Sequence, residues 1–289
     1  MKILKYLSFA ALSMFFMTSC DSGGSNTQEF SMSMLFYATS ASGEAYSIGD
    51  AEFHLDYSNA ADCSITANKL LVPGMGNTTS VKYGNLVLSG TNSGFKLSSS
   101  SQATTKLVCG IDGPWMNTTF TAKDANADIL AMNRAQVFYS ITNSVAPDGE
   151  TVTTSQADKN LFQIQINEAD INTANRSINF LMANAEFKSG DDAVVEDVAT
   201  KNIKFKIVGD RLQFSATELP VYKRVSDQEA LSAYKILNLS GTGKVGGDYS
   251  VSFVWREIDK DGNTADYQVQ TTLKNVLSST STGGNTNNN

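Results

Sequence analysis

Asn202-Ile203-Lys204-Phe205-Lys206-Ile207-Val208-Gly209-Asp210-Arg211-Leu212-Gln213-Phe214-Ser215 reads as two strands and the turn between them. Ile203, Phe205 and Ile207 alternate with Lys204 and Lys206. That period of two puts one face of an extended chain on a core and the other in water. Val208-Gly209-Asp210 supplies the turn. The same alternation recurs outward in both directions. Phe162, Ile164 and Ile166 are separated by Gln163 and Gln165; Phe53, Leu55 and Tyr57 alternate with Glu52, His54 and Asp56. Val251, Phe253 and Trp255 alternate with Ser252, Val254 and Arg256. Turns are marked by Pro147-Asp148-Gly149, Gly246-Gly247-Asp248 and Asp261-Gly262-Asn263. No stretch sustains a helical period. The alternation is weakest in residues 28–48 and 226–233, and in the second of these one helical turn is the alternative.

The strands belong to a long internal repeat. Leu35-Phe36-Tyr37 matches Val137-Phe138-Tyr139, and Glu52 to Tyr57 matches Leu161 to Ile166. Thr66-Ala67-Asn68-Lys69 matches Thr173-Ala174-Asn175-Arg176. Asn85 to Leu88 with Phe95 to Ser98 matches Asn202 to Phe205 with Leu212 to Ser215. Lys106-Leu107-Val108 leads to Asn117-Thr118-Thr119-Phe120 as Lys235-Ile236-Leu237 leads to Ser250-Val251-Ser252-Phe253. Five matches in one order predict two similar all-β domains in tandem, each a small antiparallel barrel or sandwich. About eight strands per copy favour the up-and-down barrel. The expected divisions are a first β domain over residues 30–125 and a second over 126–277, with the boundary within Lys123 to Arg134, where Asp124-Ala125-Asn126-Ala127-Asp128 is polar and lacks strand alternation. Residues 278–289, rich in Ser, Thr, Gly and Asn, read as a disordered tail.

The N-terminus gives an address. Lys2 and Lys5 precede a short apolar run that ends at Met17-Thr18-Ser19-Cys20. The run is too short for a bilayer, which needs about 20 apolar residues, and has the layout of a signal peptide over residues 1–19. Met17 to Cys20 resembles the lipobox of bacterial lipoproteins, with Met17 where Leu is commoner. The resemblance implies lipidation of Cys20, a palmitate-type acyl anchor, and a place in the cell envelope, with the outer membrane favoured over the inner. Asp21 after the cysteine fits either an inner-membrane or a surface signal, so the leaflet and face stay open. Asp21-Ser22-Gly23-Gly24-Ser25-Asn26-Thr27-Gln28 then falls in a flexible tether over residues 20–29. The whole layout resembles two-domain lipoproteins of Bacteroidetes, including those with calycin-like barrels, on the signal, the repeat and the residues Phe205 to Ser215. It implies the fold and no activity.

Charge narrows the partners. Losing residues 1–19 removes two lysines and takes the formal charge from -7 to -9. An acidic chain with scattered lysines is unsuited to nucleic acid, and its acidity serves solubility. The membrane is then reached through the lipid anchor, and a glycan or an envelope protein is the expected partner.

Chemistry-bearing residues are few. Cys63 and Cys109 are the remaining cysteines, and an oxidising compartment makes a Cys63–Cys109 disulfide the expectation, with two separate buried thiols as the alternative. His54 is the single histidine and falls on the water-facing side of its strand, with Gln163 in its place in the second copy. One histidine supports neither a zinc site of the usual kind nor a supported Ser-His-Asp triad. Asp124-x-Asn126-x-Asp128 has Ile129 where a calcium loop needs glycine and Ala135 where it needs a bidentate Glu. Asp259 to Asn263 reads as a hairpin turn, and Asp191, Asp192, Glu196 and Asp197 as a charged loop private to the second copy. Gly113-Pro114-Trp115 fits the Gly-x-Trp of lipocalins but falls late in its copy rather than at the first strand. These readings lead to a non-enzymatic binding or scaffold module with no cofactor and no metal. A calycin-like carrier of a small apolar ligand is the alternative. A fimbrial or adhesin-type subunit is another, although the first arginine, Arg134, stands well inside the folded region.

Overall fold

The computed structural model describes residues 27–59, 61–71, 78–91, 94–99, 106–110, 119–123, 127–155, 161–188, 194–195, 197–225 and 228–275. The signal segment, Cys20, residues 20–26 of the tether, and the tail lie outside them, as do Gly113-Pro114-Trp115, Asp124, Asn126, Asp191, Asp192 and Glu196.

Eight strands close the first barrel: β1 (Thr27–Ser40), β2 (Gly43–Asp56), β3 (Cys63–Leu71), β4 (Thr78–Thr91), β5 (Gly94–Ser99), β6 (Lys106–Gly110), β7 (Thr119–Lys123) and β8 (Asp128–Asn133). Each pairs antiparallel with its sequence neighbour, and β8 returns to β1 with Leu130 opposite Tyr37 and Met132 opposite Leu35. The alternation is obeyed: Met32, Met34, Phe36, Ala51, Phe53, Leu55, Cys63, Ile65, Ala67, Leu70, Leu86 and Ala131 form one buried cluster.

The second sheet comprises β9 (Ala135–Val145), β10 (Thr151–Thr154), β11 (Leu161–Ile166), β12 (Ser177–Ala183), β15 (Val198–Val208), β16 (Arg211–Val225), β17 (Gln228–Lys244), β18 (Tyr249–Ile258) and β19 (Thr264–Asn275), while β13 (Ala185–Glu186) and β14 (Val194–Val195) pair only with each other. β19 pairs back onto β9, so the sheet curls into a ring of eight strands with β10 added on β9. The protein is thus all-β, two similar antiparallel domains in tandem. Residues 228–233, where a helical turn was the alternative, are strand.

The repeat is real in the strand order. Its matches place β1 on β9, β2 on β11, β4 on β15, β5 on β16, β6 on β17 and β7 on β18. The match of Thr66 to Lys69 with Thr173 to Arg176 does not hold. The first is strand, while the second closes a turn in which Ser177 Oγ donates to Asp170 Oδ2 (2.8 Å) and the Thr173 amide to the Asp170 carbonyl (3.1 Å). A shared irregularity supports the rest. The β3–β4 register shifts opposite Asn85 and the β12–β15 register opposite Asn202, and both residues have positive φ, 54° and 61°. Asn tolerates that left-handed backbone, and each copy uses it to bulge and bend the same strand.

Barrels and chain change over at a single residue. Arg134 stands between β8 and β9; its amide donates to the Ser33 carbonyl (3.1 Å), its carbonyl accepts from the Ile166 amide (2.9 Å), and its Nε donates to the Ile166 carbonyl (3.0 Å). The change of barrel therefore falls at residue 134, the end of the window expected from sequence, because β8 still pairs with β7 and β1 in the first barrel. A joint bonded on both sides orients one barrel on the other.

The barrels also share a core. On the outer wall of the first, two cross-strand rows, Leu130–Tyr37–Tyr46 and Met132–Leu35–Ile48, face the second. Leu35, Tyr37, Tyr46, Leu130 and Met132 are buried in the same cluster as Phe205 and Val245. The Tyr46 and Phe205 rings meet edge-on at 6.4 Å, and the Arg176 guanidinium lies 3.9 Å over the Tyr46 ring. Burial, opposed by Arg176, pushes the Tyr46 hydroxyl up to about 12. These contacts cover the end of the second barrel that carries the β11–β12 and β17–β18 turns. There Gly246 has φ +76°, and a Cβ on it would stand 2.2 Å from Thr119 Oγ1. Gly246→Ala should therefore cost about 1–3 kcal/mol through left-handed strain together with the clash. Urea denaturation checks this, and an unchanged midpoint contradicts the close approach.

Candidate functional site

The interior of the second barrel is occupied by its own side chains. Phe162 stacks on Phe180 (5.2 Å), Phe180 meets Phe253 (6.5 Å), and Phe253 meets Phe187 (5.7 Å). Phe187 then meets Trp255 (5.2 Å), and Trp255 meets Tyr234 (4.8 Å). Phe187 comes from the insertion private to this copy. Ser144 Oγ donates to the Phe187 carbonyl at 2.7 Å, which ties Phe187 to β9. Buried hydroxyls beside it satisfy one another, Thr142 Oγ1 lying 2.9 Å from Ser140 Oγ and 2.8 Å from Thr271 Oγ1. A chain of rings thus runs through the middle of that lumen.

What remains open is the rim at the end away from the first barrel. A cleft of about 380 Å3 lies there, lined by Lys223, Ser232, Tyr234, Glu257, Asp259 and Asn263 among others. It exists because neighbouring strands differ in length. β17 pairs with β18 only from Tyr234, opposite Glu257, onward, while its residues back to Gln228 still pair with β16. A bulge between Pro220 and Tyr222 accompanies this overhang.

The charges at the rim are unequally matched. Lys188 Nζ donates to both Glu257 oxygens (3.2 and 3.0 Å). Burial alone would lower Lys188, but the hydrogen bond and charge of Glu257 outweigh it and hold the ammonium above the usual lysine range. Tyr267 nearby is raised by burial and then by Glu257. Lys223 is different: its Nζ sits 4.9 Å from the Tyr234 ring centroid, and among the described residues no carboxylate pairs with it. Asp259 is spent on its own turn, accepting from the Asp261 and Asn263 amides (both 2.8 Å), as the hairpin reading expected.

The residues singled out from sequence are not gathered here. His54 is on the outer wall of the first barrel, its side chain 45% exposed and its Nδ1 3.1 Å from Glu29 Oε1. Cys63 is buried on β3, its thiol donating to the Asn59 carbonyl (3.2 Å). Cys109 is on β6, and its side chain lies outside the described residues. β4 and β5 stand between β3 and β6. Three strand steps of about 4.8 Å exceed the Cα separation of about 4.4–6.8 Å that a disulfide spans. The strand order thus works against the expected Cys63–Cys109 bond. Among the described residues no group of three or more His, Cys, Asp or Glu is placed to hold a metal ion, and no helix is long and apolar enough to cross a membrane.

No known family matches the sequence, and no curated protein does. Two solved structures show a partial likeness. One is a single-site mutant of the vaccine antigen transferrin-binding protein B from Haemophilus parasuis, at 8% identity over 89% of this chain and 67% of that one, with a TM-score of 0.24. The other is a protein of unknown function of the DUF3598 family from Nostoc punctiforme, at 8% identity over 84% of this chain and 95% of that one, with a TM-score of 0.20. At these values neither assigns the chain to a family or carries a function to it.

Proposed function

We propose that this chain is a lipid-anchored, extracytoplasmic binding module of the cell envelope, non-enzymatic, and that it meets its partner at the free rim of the second barrel. The observation that carries this reading is the asymmetry of that barrel. One end is covered by the first barrel through Tyr46 and Phe205, a chain of rings runs through the lumen, and the other end bears the cleft with Lys223 and Tyr234. A rigid scaffold presenting a cleft on loops and strand ends is how binding surfaces are commonly held. The acyl anchor on Cys20 supplies the location, and two or more chains at about 0.8 kcal/mol per buried CH2 give stable attachment. The non-enzymatic part rests on the placement of His54, half exposed beside Glu29 and on the other barrel from the cleft.

The anchor is tested by labelling cells with radioactive palmitate. The wild-type chain should incorporate label and sediment with membranes, and Cys20→Ser should abolish both. Undiminished labelling of the variant contradicts the anchor. The binding role is tested by arraying purified protein against envelope glycans and envelope protein fractions. Saturable binding to one of them is expected, and silence across both contradicts the reading.

A further inference from the structure

This inference rests on the binding-module reading and names the class of partner. We propose that the overhanging edge of β17, Gln228 to Ala233, takes an extended peptide as an added antiparallel strand, with a carboxylate side chain of that peptide on Lys223.

The register supplies the first argument. β17 is hydrogen-bonded to β16 from Gln228 onward but to β18 only from Tyr234. Among the described residues no strand occupies the position beside Gln228 to Ala233. In an antiparallel strand alternate residues turn both N–H and C=O to the same side, so this edge presents a row of backbone groups to a newcomer. Proteins usually blunt such an edge with charge, proline or a bulge. Here the proline lies on the covered partner strand, the bulge falls on β17 at Ser232 to Tyr234, opposite Val221, and the one charge, Glu229, is paired with Lys201. The regular part of the edge, Gln228 to Leu231, carries Leu231, 69% exposed, the most exposed large apolar side chain described.

The cleft supplies the second argument. It lies where the missing strand would run, between Ser232, Ala233 and Tyr234 on one side and Ile258, Asp259, Asn263 and Thr264 on the other. A strand laid there would send alternate side chains toward the lumen rim, where Lys223 waits over Tyr234. Charge supplies the third. Lys188 is committed to Glu257, Lys201, which flanks the hairpin, is committed to Glu229, and Lys260 stands exposed in the β18–β19 turn rather than on the cleft lining. Lys223 lines the cleft itself and no described carboxylate pairs with it, so it can take an incoming carboxylate in a charge-assisted bond, stronger than a neutral one. Strand addition with side-chain pockets at alternate positions is an established mode of peptide capture.

The test is selection from a randomised dodecapeptide display library on the mature chain carrying Cys20→Ser, so that the protein is lipid-free and otherwise whole. Enriched peptides should alternate apolar and polar residues and carry Asp or Glu at one fixed register position. Leu231→Lys, which places the usual blunting charge on an already exposed site, should weaken the selected peptides at least tenfold with an unchanged melting temperature. Lys223→Glu should reverse the preference at the fixed position from acidic to basic, which loss of fold cannot do. Peptides that bind the Leu231→Lys variant as well as wild type, no enrichment at all, or a glycan from the envelope array occupying the same cleft would each overturn the inference. If an envelope protein binds the wild type and both variants equally, this inference fails while the binding-module reading stands.

Discussion

Trp255→Ala is expected to be the most damaging single substitution in the second barrel, lowering stability by about 3–5 kcal/mol, the scale of deleting a large buried aromatic. Trp255 is fully buried and touches rings on two sides, Phe187 from the insertion and Tyr234 from β17. Its removal opens a cavity between lumen and rim that strands fixed by cross-strand bonds cannot close. The expected reading is a large fall in the urea midpoint, with Trp255→Phe much milder because a ring still separates Phe187 from Tyr234. The rim should suffer as well. Tyr234 loses its backing, and Lys223 loses the fixed ring face that positions it. An alanine variant as stable as wild type would mean that the ring column is not what fills this barrel.

The second large effect is expected at the seam. Tyr46→Ala removes a buried ring that contacts Tyr37 at 4.8 Å, Phe205 at 6.4 Å and the Arg176 guanidinium at 3.9 Å. A loss of about 3 kcal/mol or more follows from the ring alone, and the cation–π contact adds on the order of 1 kcal/mol. Tyr46→Phe keeps the ring and should stay near wild type. The telling feature is where the damage appears. Tyr46 belongs to the first barrel and Phe205 to the second, so the variant should weaken the coupling between them and broaden unfolding toward two steps. A sharp single transition at the wild-type midpoint would show that the seam contributes little.

Much of this architecture was legible along the chain, and what was not has identifiable causes. Strand alternation in Phe53 to Tyr57, Ile203 to Ile207 and Val251 to Trp255 predicted the inward faces, because a half-buried strand must show a period of two. It also put His54 on the outer wall, where it stands. The seam broke the pattern. Met34-Leu35-Phe36-Tyr37-Ala38 and Ile129-Leu130-Ala131-Met132 are buried on both faces, and their signal is an unbroken apolar run. Such a run marks a strand covered on two sides, so the inter-barrel contact was present in the sequence as a departure from alternation. The junction was bracketed between Lys123 and Arg134 but not pinned to one residue, because polar turn-forming residues look the same whether they join domains or close a hairpin. The rim was beyond sequence reasoning. It depends on where β17 outruns β18, which the bulges between Pro220 and Tyr222 and between Leu237 and Ser240 decide. A one-residue slip in register changes every neighbour. Lys223, Tyr234 and Glu257 therefore carry no local motif, and only the register brings them together.

The central claim is that the two barrels are one body, joined at Arg134 and packed through Tyr46, which leaves a single free rim for recognition. Native-state hydrogen exchange of the Cys20→Ser mature chain at rising urea measures this most directly, since it resolves the opening of each segment separately. Peptides from β2 and β3 should merge with those from β15 and β16 onto one unfolding isotherm. Exchange of the first barrel at low urea while the second stays fully protected would contradict the account.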